Sequence, residues 1–510
     1  MKKGTTTSFT KRLQLHAVAL SWLAVGTAAA TLTGPIVLLA APQAVFAETR
    51  DEALTRFGEV YGTLQGRHVS GISDELLTDA AIQGMIDALK DLYTTYFSKS
   101  QWEQYQRDLD MVYAGIGTRL SQDDAGARIV EVFANSPAQE TGLAAGDRIT
   151  AVDGKPAAGL TLDAIAGAIR GAAGSEVTLL LLRGDGSTKI ISLVRRDVAV
   201  PSVTSRVLND GTGYMSVSGF ADNTDELFAD ELAKLQASGI ARLVVDLRNN
   251  PGGVLESARQ MAQQFIPEGT LIHTKNRDGE DEPVLLAGGK TVDIPVVFLV
   301  NGNSASASEV LTGALQDYGK AVIVGSLTYG KGSVQSIYRL SSGGALKVTI
   351  EQYFTPKGKP VNKVGITPDV VVEGEIAQLA AALRASGSPA VTIELGTTRS
   401  VVNGWELGTT LPFVTESDQG SAAARLYVPA RLAAAMLGRT LSWNEAKQAV
   451  ELSAPGSATI TFGAENGFVN KNGIGLLDTE ILTKQFPSWS ARLAGTDRVT
   501  LQVQVRTEVQ

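Results

Sequence analysis

The chain has 510 residues, 44% apolar and 19% charged, with a formal net charge of −8. Its length exceeds one compact core and predicts three or four domains, and its ordinary composition excludes a disordered or fibrous chain. An acidic balance with no basic block argues against a nucleic-acid partner, and the absence of cysteine removes disulfides, thiolate metal sites and a cysteine nucleophile.

Residues 1–47 open with Lys2, Lys3, Lys11 and Arg12 and continue as an apolar stretch from about Leu13 to Phe46. Small residues at Val45 and Ala47 fit a signal-peptidase site. A cleaved signal peptide is therefore expected, with an uncleaved membrane anchor as the alternative, because the stretch is long and broken by Gly34 and Pro35. Either way the bulk of the chain is expected outside the cytoplasmic membrane. Across residues 48–110, Leu76, Ile82, Met85, Ile86 and Leu89 recur largely at three- and four-residue steps and predict helices. Tyr93, Tyr96, Phe97 and Trp102 read as an aromatic packing knot.

Residues 111–197 alternate short strands and turns, with strands predicted at 128–133, 148–152, 177–183 and 189–195 and a helix at 162–170. Gly115 and Gly117 flank Ile116 in a way that lets successive backbone N–H groups turn toward one point and form an anion nest. The phrase ANSPAQETGLAAGDRITAVDGKP resembles a PDZ domain. That resemblance implies that Gly115, Ile116 and Gly117 form a loop binding a peptide carboxylate, beside an edge strand that accepts an extended peptide.

Residues 198–375 alternate strands (213–217, 243–247, 296–300) with helices (227–236, 256–265, 309–316), as an α/β domain does. Residues 376–390 read as a linker, and the composition shifts over 391–510. Within that last stretch LYVPARLAAAMLGRTLSWNEAKQAVELS resembles the repeat module found beside copper amine oxidases and in exported Gram-positive proteins. No histidine follows residue 273, so no copper is inferred; an accessory α+β module for binding or assembly is expected.

The segment NGNSASASEV places Ser304, Ser306 and Ser308 at alternate positions after an apolar strand. A base for a serine hydroxyl is scarce. His16 falls in the targeting segment, His68 in the N-terminal helical region, and His273 in a strand-like run with no orienting carboxylate nearby in sequence. A Ser-His-Asp triad is thus poorly supported, and without HExxH a zinc hydrolase is disfavoured. The remaining candidate is a lysine, whose ordinary pKa of about 10.4 must fall for it to act as a base; burial moves it in that direction. Lys331, between Gly330 and Gly332, is embedded in that manner.

Together, NSASASEVLTGALQDYG and VGSLTYGKGSVQ closely resemble the C-terminal processing peptidases, tail-processing serine proteases, over about residues 60–375. The resemblance implies a crotonase-like protease core with an inserted PDZ domain, a helical dimerising N-terminal region, Ser306 as nucleophile, Lys331 as its base and Gln335 as the residue orienting the lysine. Positions 331 and 335 differ by an even number, so on one continuous strand they share a face. The backbone N–H of Ala307, at a helix start, is free to stabilise an oxyanion; the family's second donor maps onto Gly252 in LRNNPGG. Ser304 reads as a helix cap and Ser308 as a packed small residue. Glu309 reads most simply as a first-turn acid favoured by the helix dipole, with a part in fixing the site as the alternative. Asp246 and Arg248 read as an internal ion pair supporting the loop.

The expectation is an exported serine endopeptidase that needs no cofactor or metal, cleaves proteins recognised by their C-terminal tails, and forms a homodimer with possible cell-wall or membrane association. The alternative is a catalytically inactive PDZ scaffold at the cell surface.

Overall fold

A computed structural model describes residues 49–123, 126–397, 399–416, 425–495 and 497–505. The targeting segment expected at 1–47 lies outside them. The described residues fall into two compact units that divide after Asp79. In the first, the helix Arg50–Arg67 starts at a Thr49–Glu52 capping box and has no buried residue. Leu54, Phe57, Val60 and Leu64 stand exposed at three- and four-residue steps along it.

The second unit is built on a six-stranded sheet. A hairpin, Val203–Val207 and Thr212–Val217, leads into the parallel strands Arg242–Asp246, Val296–Val300, Val322–Gly325 and the short edge Val370–Val371. The run VVFLV is buried at every position because helices cover both faces of a parallel sheet. On one face lie the helices Thr224–Ala237, Leu255–Ala262 and Ala307–Asp317, joined through Phe228, Met261, Phe265, Phe298 and Leu311.

The other face corrects the expectation of a linker at 376–390. Glu375–Ala385 is an α-helix, buried from Ile376 to Leu383. It packs in one core with Val244, Val297, Leu299 and Val324 of the sheet and with Leu432 and Met436 of the helix Ala430–Leu437. The sequence EIAQLAAALRA has no strong polar face, so it is covered on both sides rather than exposed. Residues from Ala390 onward form a five-stranded, a four-stranded and a three-stranded antiparallel sheet on this shared core.

A second sheet stands over the first. Thr95–Phe97, Ala345–Phe354, Gly269–Asn276 and Asp281–Leu286 pair in that order, and Ser333–Arg339 also pairs with Ala345–Phe354. The stretch at 48–110 is thus not helical throughout, since Thr95–Phe97 is a strand. The aromatic knot forms from Phe97, Trp102 and Tyr105, with Phe97 and Tyr105 stacked at 4.7 Å. Tyr93 is not part of it.

The PDZ region hangs from a two-stranded neck, Val112–Gly115 against Arg196–Ala199, through which the chain enters and leaves. Its sheet runs Thr118–Asp123, Gly126–Val132, Arg148–Val152, Glu176–Leu182, Thr188–Val194, closely matching the strands expected from sequence. The helix Leu162–Ile169 closes its core through Ile165 and Ile169. This gives a multidomain α/β protein with an inserted mixed α+β module and a helical N-terminal region.

The loop after Arg242–Asp246 is held by a buried pair. Asp246 accepts from Tyr214 at 2.6 Å and from Arg248 Nη2 at 2.5 Å, and Arg248 Nη1 donates to the Glu375 carbonyl at 2.8 Å. Removing one partner strands a buried charge, which costs about 3–5 kcal/mol. Asp246→Ala is therefore expected to lower the urea midpoint of the core strongly. A midpoint within experimental error of the parent would contradict this account.

Candidate active site

Ligands of open α/β sheets bind beyond the carboxyl ends of the strands, and two loops meet there. Residues 301–306 follow Val296–Val300, and residues 247–253 follow Arg242–Asp246. They are stitched together by polar side chains. Ser304 Oγ donates to the Leu247 carbonyl at 2.8 Å and accepts from Asn301 N at 3.0 Å, so it is a loop tie and not a helix cap. Ser308 is buried as expected and donates to the Asn250 carbonyl at 3.0 Å. Ala305 N reaches the same carbonyl at 3.0 Å.

Ser306 stands between strand and helix, with φ 56° and ψ −116°. That backbone is costly for a residue with a Cβ and persists only where the surroundings impose it. The imposing group is Glu309, which is fully buried. Its carboxylate accepts from Ser306 N at 2.9 Å, Lys331 N at 2.8 Å, Gly330 N at 2.7 Å and Thr328 Oγ1 at 2.5 Å. Tyr353 adds a second tie, its hydroxyl lying 3.2 Å from the Ser306 carbonyl and 2.8 Å from that of Lys331. Ser306 and Lys331 are thus fixed beside each other although they lie 25 positions apart in the chain.

Both line a cleft of about 600 Å³, together with Gly252, Ala307, Gln335, Lys347, Tyr353 and apolar residues including Phe220, Val254 and Val334. Lys331 is half-buried; burial pushes its amine below the ordinary lysine range, the nearby Lys347 pushes it further down, and Glu309 pulls the other way. Its Nζ lies 5.3 Å from the centre of the Tyr93 ring, a cation–π contact. Among the described residues no hydrogen bond joins Ser306 Oγ to Lys331 Nζ.

Gln335 lines the cleft, but its Nε2 donates to Ser333 Oγ at 2.8 Å and Thr349 Oγ1 at 3.4 Å, not to the lysine. The parity expected from sequence fails for two reasons: the strand begins only at Ser333, and a bulge separates Val334 from Gln335. Gly252 is where the sequence places it, with φ 98°, and a Cβ there would stand 2.8 Å from Ser306 Cβ and 3.0 Å from Ala307 N. A side chain would therefore cover the Ala307 amide. The N–H of Gly252 itself donates to Asn250 Oδ1 at 2.9 Å, so in this conformation it is not a free oxyanion donor.

In the PDZ region Ile116 is buried and Gly117 has φ 83°. The Tyr113 ring lies on Gly115, and the Gly117 and Thr118 amides act electrostatically on its hydroxyl. Burial raises the Tyr113 hydroxyl above its usual range, while those amides and the Arg170 guanidinium oppose the rise. His273 corrects a further expectation: Asp281, on the paired strand of a hairpin two residues from the position opposite His273, lies 3.1 Å from its Nδ1. This pair is not part of the cleft lining.

Sequence reasoning underweighted Glu309 and did not single out Tyr353, Asn250 or Lys347. A serine followed three residues later by glutamate at a helix start is a signal that could have pointed to Glu309.

The model of peptidase family S41 matches residues 211–372, that of a PDZ domain residues 128–183, and that of the activating protease CtpB N-terminal domain residues 39–101. A carboxy-terminal-processing protease of Bartonella bacilliformis is 34% identical over 327 residues, covering 63% of this chain and 75% of its own. The carboxy-terminal processing protease CtpB of Bacillus subtilis is 32% identical over 330 residues, 64% of this chain and 68% of its own. Among solved structures, a photosystem II D1 C-terminal processing protease is 28% identical, with a TM-score of 0.41, over 64% of this chain and 89% of that one. The chain belongs to the S41 peptidases, the PDZ-containing carboxy-terminal-processing family. It is accordingly a serine endopeptidase acting on C-terminal tails.

Glu309→Ala leaves four donors without their acceptor, at about 1–3 kcal/mol for each buried one. Thermal unfolding and peptide cleavage are expected to suffer together. A variant of parental stability and parental rate would show that the clamp has no role.

Proposed function

We propose that hydrolysis runs through a Ser306–Lys331 dyad. Neutral Lys331 Nζ accepts the Ser306 Oγ proton as Oγ attacks the peptide carbonyl. The resulting ammonium returns a proton to the leaving amine, and water then releases the acyl group from Ser306. The observation that carries this reading is the buried Glu309 carboxylate, which holds the backbones of both residues at one point of the cleft.

Ala307 N–H, with Gly252 N–H once Asn250 Oδ1 releases it, would hold the oxyanion. Gln335 would orient the lysine after leaving Ser333 and Thr349. In this reading the conformation described is a resting one. Productive alignment requires Lys331 to turn from the Tyr93 ring toward Ser306, which the shared cleft allows.

Substrate tails would enter the PDZ region. Thr118–Asp123 is an edge strand able to pair with an extended peptide, and the Gly115–Ile116–Gly117 loop would bind the terminal carboxylate by displacing the Tyr113 hydroxyl.

We read the protease core, 198–375, as crotonase-like, with the PDZ domain at 111–197 and a dimerising region at 48–110. The exposed apolar row on Arg50–Arg67 supports pairing with a second copy. Residues 391–510 are read as the module resembling the copper amine oxidase N-terminal repeat, in a binding or assembly role. Family membership supports an extracytoplasmic location. A signal peptide or anchor at 1–47 is the proposed route; among the described residues no helix is long and apolar enough to cross a membrane.

Ser306→Ala and Lys331→Ala are each expected to abolish cleavage of an unstructured protein; full retention by either removes the dyad. Because the base works unprotonated, the rate should rise with pH through the amine's lowered pKa and level off above it. A profile flat from about pH 6 upward, with substrate saturating, would exclude a lysine base. Amidating a substrate's C-terminal carboxylate is expected to raise KM several-fold while leaving the plateau kcat intact; an unchanged KM would take the Gly115–Gly117 loop out of tail recognition.

A further inference from the structure

The cleft holds two lysines, and the proposed chemistry uses one. Lys347 lies on Ala345–Phe354, opposite Ile337 on one side and Thr95 on the other. It shares a strand face with Thr349, whose hydroxyl accepts from Gln335. It lines the same cleft as Ser306 and Lys331. Its Nζ lies 5.1 Å from the Tyr105 ring centre and 5.6 Å from that of Phe97, while Lys331 Nζ rests on Tyr93. Among the described residues, neither amine forms an ion pair.

We infer that Lys347 is a positioning residue acting through Lys331: its persistent positive charge disfavours protonation of the neighbouring amine and so readies the dyad base. This rests on the Ser306–Lys331 reading.

The acidic and phenolic groups around the pair are committed elsewhere. Glu309 faces Lys331 but is spent on Ser306, Thr328, Gly330 and the Lys331 backbone. Asp91 faces Lys347 but accepts from Tyr93 N, Thr94 N and Thr94 Oγ1. Asp108, on the helix Lys99–Leu109, accepts from Gln104. Tyr93 and Tyr353 are phenols raised above their usual range, chiefly by burial, and so stay neutral beside the amines.

Two ammonium groups in one half-buried cleft interact more strongly than in water, so one gives up its proton first. A lysine next to another cationic group is an established way to obtain a neutral amine. Burial lowers both amines; at Lys347 only Asp91 and two ring faces act beside it, and both favour the charge, whereas at Lys331 the charge of Lys347 adds to the lowering and Glu309 opposes it. In this inference Lys347 is the amine that retains its proton, and it exchanges none with substrate.

The test measures the second-order rate at which a fluorophosphonate phosphonylates Ser306, Oγ displacing fluoride from phosphorus, against pH and on the full chain, because that rate does not depend on tail capture. Lys347→Met keeps the aliphatic stem and removes the charge. Its ascending limb is expected at higher pH than the parent's, with a several-fold slower rate near neutrality that converges on the parent's plateau. Lys347→Arg, a permanent cation, is expected to leave the limb at or below the parent's position. A Lys347→Met profile superimposable on the parent's, or lowered by one factor at every pH, would overturn the inference. Lys347→Gln repeats the test should the Met variant misfold. If neither uncharged variant folds while Lys347→Arg does, the charge is structural and the inference fails. Lys331→Ala keeps the two readings apart: phosphonylation retained there removes the dyad, whereas the limb position in Lys347→Met bears on Lys347 alone.

Discussion

The site depends on one buried carboxylate. Glu309 gathers hydrogen bonds from the Ser306 and Lys331 amides, from Gly330 and from Thr328. Without it, two loops from different crossovers of the sheet would each hold their own conformation, and nothing would oblige the hydroxyl-bearing loop to adopt a positive φ at Ser306. The carboxylate turns that strain into a fixed position because every oxygen lone pair it offers is matched by a donor. Tyr353 performs the same service for the carbonyls, so both backbones are tied on donor and acceptor sides.

Around that clamp the fold supplies walls of different character. The parallel sheet delivers the 247–253 and 301–306 loops to a common edge. The second sheet carries Gln335 and Lys347 to the cleft, and the turn just before its strand Ser333–Arg339 carries Lys331. Asn250 links the two tasks, since its side chain ties Gly252 N to the Val217 carbonyl while its own carbonyl accepts from Ser308 and Ala305. The residue that organises the loop thus also occupies the Gly252 amide, the one proposed as an oxyanion donor. Tyr113, against the Gly117 and Thr118 amides, and Tyr93, against the lysine amine, stand in comparable positions. On the proposed reading, each fills with a protein group a place that a substrate group or a reacting partner would take.

Much of this architecture was legible in the chain. The buried strands of the core read as unbroken apolar runs, because a sheet covered on both faces leaves no polar alternation. The PDZ strands were legible from their turns. Ser306, Lys331 and Gly252 were legible because small residues flank them and the motif spacing is local. Glu375–Ala385 was misread as a linker because alanine carries too little hydrophobic contrast to mark a buried face. Gln335 meets Ser333 and Thr349 rather than Lys331 in this conformation because a bulge shifts strand parity without leaving a mark in the sequence.

The sequence by itself determined most of the buried core strands and the PDZ strands, and it put Ser306 and Lys331 forward as the candidate hydroxyl and amine, since each is encoded within short stretches by pattern and side-chain chemistry. Only the tertiary structure decided which carboxylate holds them, that Tyr93 from the N-terminal segment covers the amine, that a second lysine shares the cleft, and that Asn250 takes the Gly252 amide. Those contacts join residues far apart along the chain, or turn on which of several nearby acceptors a backbone amide selects. Hydrogen bonds and charge interactions act over a few ångströms of space, and a linear pattern carries no measure of that distance.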